Sequence, residues 1–124
     1  INIASMYGIV APNVDDLYEG ESCKKYYNPI NYGVGKAAII QFTKYIAAVY
    51  SKKGIICNCI SPGTFPSLEV QKNEIFIQRL TKKVPLGRIG RPEDLKGSIV
   101  FLCSDSSNYI NGHNLIVDGG WTIW

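Results

Sequence analysis

The feature that most constrains this sequence is a helical repeat lying between two short apolar runs. Apolar residues recur at three- and four-residue steps across residues 31–51, which predicts one long helix. Residues 1–4 precede this stretch and residues 55–60 follow it, and both have the composition of buried strands. Two buried strands joined through a helix make a βαβ unit. We therefore expect a parallel sheet with a right-handed crossover.

Capping and breaking residues divide the rest of the chain. Asn31 is the predicted N-cap of the long helix, and the Ser-Pro-Gly sequence at residues 61–63 is expected to break the second strand. Residues 67–83 are weakly amphipathic and predict one or two short helices. Pro92, followed by two acidic residues, is typical of a helix start, and residues 113–117 predict a last strand. The predicted order is strand, lid-like loop, helix, strand, helices and strand, an α/β fold.

Residues 9–31 predict a long irregular connection, rich in Pro, Asn, Asp and Gly. It carries three tyrosines, Tyr18, Tyr26 and Tyr27. Connections of this length without regular structure are uncommon and are often lids or binding loops. The alternative is a disordered surface excursion. The aromatic content favours a loop that packs on the domain.

Composition excludes several classes of function. The 124 residues suit one small domain, and the net charge of +3 comes with scattered lysine pairs rather than a basic stripe, which argues against nucleic-acid binding. No apolar run is long enough for a membrane span. The four cysteines form no CxxC pair and the one histidine, His113, is distant from them, which argues against a metal site. Buried free thiols in a reducing cytoplasm are the default for such cysteines.

Three polar residues are candidates for chemistry. Tyr32 and Lys36 are four residues apart, so a helix places them on one face. A cation beside a phenol favours the phenolate, which makes a proton donor and acceptor. Ser5 follows the first strand, at the sheet edge where open parallel sheets bind ligands. The alternatives are an ordinary surface pair and a turn serine. Gly33 and Gly35 in the first turns suggest that something approaches the helix backbone closely.

A set of short segments then occurs in one order along nearly the whole chain. They are INIAS at residues 1–5, YGVGK at 32–36, NCISPG at 58–63, PLGR at 85–88, PE at 92–93, FLCSD at 101–105, YING at 109–112 and VDGG at 117–120. This order resembles the carboxyl-terminal half of a classical short-chain dehydrogenase/reductase. The resemblance implies a doubly wound parallel-sheet Rossmann fold, NAD or NADP as cofactor, and a small alcohol or carbonyl substrate.

The resemblance also implies a catalytic role for three residues. Ser5 corresponds to the serine that binds the substrate oxygen, and Tyr32 to the general acid and base. Lys36 corresponds to the residue that supports Tyr32 and holds the nicotinamide ribose. A fixed serine hydroxyl and an activated tyrosine suit the charge that develops on that oxygen.

Further positions correspond to cofactor contacts, within a substrate-loop region at residues 64–91. Pro62 and Gly63 form the turn at the nicotinamide end, and Phe65 and Ser67 occupy positions that contact the cofactor. Asn58 corresponds to a structural residue. His113 stands where glutamine is common, and a structural role is favoured over a catalytic one.

Two departures from the family pattern qualify these expectations. The interval from Ser5 to Tyr32 is longer than usual and is similar to members that act in surface-sugar modification or resemble gluconate dehydrogenases, which suggests a sugar-like substrate. The glycine-rich phosphate loop of the family's amino-terminal half is not in these residues. We therefore expect a fragment that needs its amino-terminal half and is inactive alone.

Alternatives to an enzyme remain open at this point. The chain would then be a non-catalytic remnant of the fold, or a module that senses a nucleotide. By the same resemblance, the whole protein is expected to be a homodimer or homotetramer, with the long helix and the final helix-strand unit at the interfaces.

Overall fold

The computed structural model describes residues 1–124. In chain order the strands and helices are β1 (Asn2–Ile3), α1 (Val14–Leu17), α2 (Glu21–Lys24), α3 (Ile30–Tyr50), β2 (Cys59–Pro62), α4 (Leu68–Gln71), α5 (Glu74–Lys83), α6 (Pro92–Leu102) and β3 (Asn114–Val117). Short 3₁₀ turns cover Met6–Gly8, Ser51–Lys53, Asp105–Ser107 and Trp121–Ile123. The strands form one sheet in the order β1-β2-β3, and both pairings are parallel. The predicted parallel βαβ unit is therefore confirmed.

The second strand lies later in the chain than predicted. Ile55 and Ile56 are about half exposed and outside the sheet, whereas Cys59, Ile60 and Ser61 are buried. Cys59 and Ile60 pair with both neighbouring strands, and Ser61 pairs with β3. The prediction that residues 61–63 break the strand was wrong. Pro62 stands at the last position of β2, and the next residue donates its N–H to the Val117 carbonyl at 3.0 Å, so pairing with β3 continues past the proline.

The long helix begins one residue earlier than its predicted cap. Pro29 has extended φ and ψ of −66° and 157° and is the N-cap of α3, so Asn31 lies inside the helix and the N-cap prediction was wrong. The Pro29 carbonyl accepts from the Tyr32 N–H at 2.9 Å, which closes the first turn. Deeper in α3, Thr43 is fully buried and its hydroxyl oxygen accepts from the Asn2 side chain at 3.0 Å. This contact fixes the helix across β1.

The 9–31 segment packs against α5. Leu17, Tyr18 and Cys23 are buried in one apolar cluster with Phe76 and Leu80 of that helix. The segment is not wholly irregular, because it contains α1 and α2. Its aromatic and apolar residues thus bury a shared core, as their number indicated.

Polar contacts join the same two parts at the surface. The Lys83 ammonium lies 2.9 Å from the Asp16 carboxylate, the Arg79 guanidinium donates to the Glu19 carbonyl at 2.6 Å, and the Asn73 amide donates to the Ser22 carbonyl at 3.0 Å. Exposed ion pairs contribute little to stability, so the shared core carries most of the attachment. The 9–31 segment and α5 therefore form one cover over the carboxyl end of the sheet.

The remaining elements follow the predictions closely. Residues 67–83 form the two helices α4 and α5, Pro92 begins α6, and the last strand occupies four of the five predicted residues. No helix in the chain combines the length and the apolar character that crossing a bilayer requires.

One face of α3 is apolar and faces away from the sheet. Its exposed residues recur at helical spacing and are Val34, Phe42, Tyr45 and Val49. The outer edge of β1 is also unpaired, and Ile3 on that strand is about half exposed. Exposed apolar residues that share one helix face are typical of a surface that another element or subunit covers.

Candidate active site

The first turn of α3 and the 3₁₀ turn after β1 touch through glycines. A Cβ atom on Gly8 would lie 2.7 Å from the Lys36 carbonyl carbon, and one on Gly33 would lie 3.0 Å from the Tyr7 carbonyl oxygen. Ordinary carbon–carbon contacts are about 3.5–4.0 Å. The expected close approach to the helix backbone is therefore present at Gly33, while nothing in the chain lies within 4 Å of a Cβ on Gly35. This contact sets the distance between Ser5 and α3.

A cleft of about 270 Å³ opens at the carboxyl ends of β1 and β2. The residues that line it are Ser5, Met6, Tyr7, Tyr18, Tyr26, Asn28, Tyr32, Gly63, Thr64, Phe65, Pro66, Val70, Phe76 and Leu80. The sequence predicted Ser5, Tyr32, Gly63 and Phe65 as site residues, and the fold brings these four together. The other three predicted residues, Lys36, Pro62 and Ser67, lie outside the lining.

Ser5 is placed by the end of β1 and by the turn that follows. It is buried, and its side-chain oxygen accepts from the Tyr7 N–H at 3.2 Å as the cap of the Met6–Gly8 turn. The Ser5 hydroxyl makes no other hydrogen bond within the chain. Its proton is therefore available to an acceptor in the cleft.

Tyr32 and Lys36 lie on one face of α3, as their spacing predicted. The Lys36 Nζ is 5.6 Å from the centre of the Tyr32 ring and donates to the Ile3 carbonyl at 3.0 Å. An ammonium group has three donors, so two remain. Tyr32 is 38% exposed. Its hydroxyl has no hydrogen-bond partner in the chain. The lysine is thus fixed between β1 and the tyrosine ring.

The other predicted residues surround the end of β2. Pro62 is the last residue of that strand. Gly63 lies against Asp118, the residue after β3, and a Cβ on Gly63 would lie 2.5 Å from the Asp118 Cα. Phe65 lines the cleft, and its ring packs against Gly90, where a Cβ would overlap a ring carbon. Ser67 is the N-cap of α4, and its hydroxyl oxygen accepts from the Val70 N–H at 3.4 Å. Asn58, predicted to be structural, is buried away from the cleft.

Asn58 fastens the turn before β3. Its side-chain nitrogen donates to the Ile110 carbonyl at 2.7 Å, and its side-chain oxygen accepts from the His113 N–H at 2.9 Å. Both bonds are made to backbone groups 52 and 55 residues away. Asn58 therefore holds β3 in register beside β2 and takes no direct part in the site.

Sequence reasoning missed a pair of tyrosines in the cleft. The Tyr7 and Tyr18 hydroxyl oxygens are 2.9 Å apart, and both residues are buried. Burial is the main reason that the pKa of each phenol lies above its usual value of 10.0; for Tyr7, the hydrogen bond with Tyr18 and the nearby Tyr32 add to the rise. Both phenols therefore stay protonated at neutral pH. The Met-Tyr-Gly motif after Ser5 drew attention to Tyr7. The spacing of residues in the sequence did not predict that Tyr7 would contact Tyr18.

Aromatic rings form one wall of the cleft. The Phe76 ring centre lies 5.7 Å from that of Tyr18 and 4.7 Å from that of Tyr26. Tyr27, which is not among the lining residues, packs edge-on against Tyr18 at 5.3 Å. Aromatic pairs at these distances stabilise one another beyond simple burial. None of the lining residues carries a formal charge at neutral pH. The cleft combines aromatic faces with neutral hydroxyl and amide groups.

Comparison with known proteins places this site in a family. A family model described as enoyl-(acyl carrier protein) reductase matches residues 16–122. A solved short-chain dehydrogenase from Leptospira borgpetersenii, with bound NAD⁺, covers 98% of the chain at 41% identity and a TM-score of 0.83. The chain belongs to the short-chain dehydrogenase/reductase family. Its three-stranded sheet is accordingly part of a Rossmann fold.

Other members of the short-chain dehydrogenase/reductase family act on sugar derivatives. The 2-keto-3-deoxy-L-fuconate dehydrogenase of Xanthomonas campestris is 40% identical over 109 residues, which are 82% of this chain and 36% of the relative. A gluconate 5-dehydrogenase from Burkholderia cenocepacia, solved with NADP and tartrate, covers 99% of the chain at 30% identity, with a TM-score of 0.81. The chain spans less than half the length of the relatives that it matches.

Proposed function

We propose that the protein carrying this chain is an NAD(P)-dependent oxidoreductase that interconverts a hydroxyl and a carbonyl group, and that this chain is its carboxyl-terminal half. One observation carries the proposal. The hydroxyls of Ser5 and Tyr32 line one cleft with no acceptor in the chain, and the Lys36 ammonium is held against the Tyr32 ring. A fold-only remnant would need none of these three groups.

The residues divide the work at the substrate oxygen. The Ser5 hydroxyl donates a hydrogen bond to that oxygen, keeps its own proton, and stabilises the negative charge that develops there. In the direction of oxidation Tyr32 takes the hydroxyl proton of the substrate, and in the direction of reduction it returns a proton to the carbonyl oxygen. The Lys36 ammonium lies 5.6 Å from the centre of the Tyr32 ring, where its positive charge opposes the negative charge that develops on the phenol oxygen while the proton is transferred.

NAD or NADP fits the polar groups at this edge of the sheet. Such a cofactor supplies the acceptor or donor of the hydride when it is bound. Tyr32 and the two remaining Lys36 donors suit the ribose hydroxyls, and the turn at Pro62 and Gly63 stands at the carboxyl end of β2, where nucleotides bind in such sheets. We assign Phe65 and Ser67 to the same cofactor region, at residues 64–91.

The glycine-rich loop that holds the cofactor pyrophosphate in this fold is not among the 124 residues. We therefore propose that the chain acts together with an amino-terminal half and is inactive without it. The unpaired outer edge of β1 is where further strands of the sheet would join.

We further propose that the whole protein acts on a sugar-like substrate, assembles as a homodimer or homotetramer, and is located in the cytoplasm. Dehydrogenases of sugar derivatives are among the relatives, and the cleft offers hydroxyl groups beside aromatic rings. The apolar face of α3, with Phe42 and Tyr45, is suited to pack against another subunit. The four cysteines are free thiols, as expected in a reducing compartment.

Removal of the Tyr32 hydroxyl tests the assignment of Tyr32 as the general acid and base. In the full-length protein, Tyr32→Phe should reduce kcat for an alcohol substrate by at least about 100-fold, because the general acid and base is lost. Tyr27→Phe is the matched control, since Tyr27 belongs to the same region of the chain but does not line the cleft. An unchanged rate in Tyr32→Phe would show the assignment to be wrong. Cofactor binding without turnover in the parent protein would favour a nucleotide-sensing module instead.

A further inference from the structure

The bonded tyrosine pair, Tyr7 and Tyr18, has no role in the chemistry assigned to Ser5, Tyr32 and Lys36. Tyr7 comes two residues after Ser5, and Tyr18 belongs to the 9–31 segment. Both line the cleft and both are buried, yet their hydroxyls bond to one another rather than to the backbone. Buried phenols at a ligand cleft are positioned to bind the ligand.

The pair has a hydrogen-bonding capacity that its mutual bond does not use up. Two neutral phenols carry two protons, and the bond between them uses one. The second O–H and the free lone pairs remain for a partner, and the Asn28 amide, which also lines the cleft, adds a further donor and acceptor. A substrate hydroxyl both donates and accepts, so it matches this set of groups.

The lining also distinguishes between kinds of polar substrate. Within this chain the lining contains no lysine, arginine or histidine, and the Lys36 ammonium is held by the Ile3 carbonyl beside the Tyr32 ring, so the lining itself offers no counter-charge to a carboxylate. A buried anion without a charged partner is costly, whereas a neutral hydroxyl that is fully hydrogen-bonded is not. The aromatic wall formed by Tyr18, Tyr26 and Phe76 suits the C–H faces of a carbon chain or ring.

We propose that the Tyr7–Tyr18 hydroxyl pair determines specificity by binding a neutral hydroxyl on the carbon next to the one that is oxidised or reduced. The substrate class is then an uncharged polyol, sugar or α-hydroxy ketone rather than a sugar acid with its carboxylate at that position. This inference rests on the proposed function, because it takes Ser5 and Tyr32 as the place where the reacting oxygen binds. It makes the 9–31 segment part of the substrate site through Tyr18.

Three four-carbon ketones test this specificity: 3-hydroxybutan-2-one, butan-2-one and 2-oxobutanoate. At the position next to the carbonyl carbon, 3-hydroxybutan-2-one carries a hydroxyl, butan-2-one carries only hydrogen, and 2-oxobutanoate has its carboxylate. In the full-length protein, kcat/KM should be highest for the hydroxy ketone. Tyr7→Phe and Tyr18→Phe should each lower the ratio of kcat/KM for 3-hydroxybutan-2-one to that for butan-2-one by about 3- to 10-fold, the effect of one hydrogen bond.

A ratio between two substrates separates recognition from damage to the fold, because a disturbed site slows both. Tyr27→Phe is the matched control and should leave the ratio unchanged, since its ring packs on Tyr18 but lies outside the cleft. If either single variant folds poorly by circular dichroism, Tyr7→Phe/Tyr18→Phe removes both partners and leaves no unpaired hydroxyl.

Binding provides a readout that does not depend on turnover. In the Tyr32→Phe variant, ligand-observed NMR should show stronger binding of 3-hydroxybutan-2-one than of the other two ketones, and the further change Tyr7→Phe should remove the difference. Unchanged ratios in both phenylalanine variants, or a preference for 2-oxobutanoate, would overturn this inference while leaving the oxidoreductase intact. No turnover of any ketone by the parent protein would instead count against the proposed function.

Discussion

Gly8 lies where the turn after β1 meets the backbone of α3, and it has no room for a side chain. A Cβ there would come within 2.7 Å of the Lys36 carbonyl carbon and within 2.9 Å of the Ala37 nitrogen and the Lys36 oxygen. These are backbone atoms of a long helix, which do not move aside as a flexible side chain would. Gly8→Ala therefore forces the Met6–Gly8 turn away from α3 by about 1 Å to restore normal contact distances.

The cost of this shift follows from two general relations. Overpacking a fixed contact destabilises a protein by about 1–3 kcal/mol. A displacement of about 1 Å between Ser5 and Tyr32 lowers the rate of a reaction that needs both by about 100-fold. We thus expect Gly8→Ala to lower both the free energy of unfolding and kcat, although the change adds only one methyl group and Gly8 has no side chain that takes part in chemistry.

Gly35→Ala is the matched control, since this glycine lies in the first turns of α3, near the contact with Gly8, but has no atom of the chain within 4 Å of a Cβ. Alanine is favoured over glycine inside a helix, so this variant should gain about 0.5–1 kcal/mol. Urea unfolding followed by circular dichroism measures both variants, and dehydrogenase assays of the full-length protein measure kcat for Gly8→Ala. Equal stability of the two variants would refute the reasoning from the helix contact.

Two further predictions concern the frame of the site. Asn58→Ala should lower the free energy of unfolding by about 1–3 kcal/mol, measured by urea unfolding, because the part-buried Ile110 carbonyl and His113 N–H each lose a hydrogen bond. Asn58→Asp keeps the acceptor and removes the donor, so the two variants together show which bond contributes more. The hydrogen bond from Arg88 lowers the pKa of Asp94 from 3.8 to about 2, so the pair's stabilisation is present above about pH 4 and is lost as the pH falls towards 2. The difference in unfolding free energy between the parent and Asp94→Asn should therefore narrow across that interval in acid titrations, and a constant difference would contradict the pairing.

Local spacing was enough to predict those parts of the site that lie on one element. Tyr32 and Lys36 share a face of α3 because helical geometry fixes residues four apart, and Pro92 begins α6 because proline suits the first turn of a helix. Ser5 lies at the cleft because the carboxyl ends of parallel strands meet at one edge. These features depend on short-range geometry, which the sequence carries directly.

Long-range contacts determine the limits of β2 and α3, which the spacing of residues in the sequence did not predict. The extent of β2 depends on which residues find partners on β1 and β3, so the apolar Ile55 and Ile56 stay outside the sheet while Pro62 lies within it. The first turn of α3 is set by Pro29 and by packing against the preceding turn, which displaced the predicted cap. Apolar character alone does not distinguish a paired strand from the connection that leads into it.

The sequence by itself determined the family, the order of the elements and the placement of Tyr32 and Lys36 on one face of α3, since each is expressed in the identity and spacing of nearby residues. The tertiary structure alone decided the walls of the cleft. Tyr7 and Tyr18 are 11 residues apart and share no helix or strand, and they meet because α1 and α5 bury a common core beside the end of β1. Such a contact is selected by the packing of the whole domain, and no local periodicity encodes it.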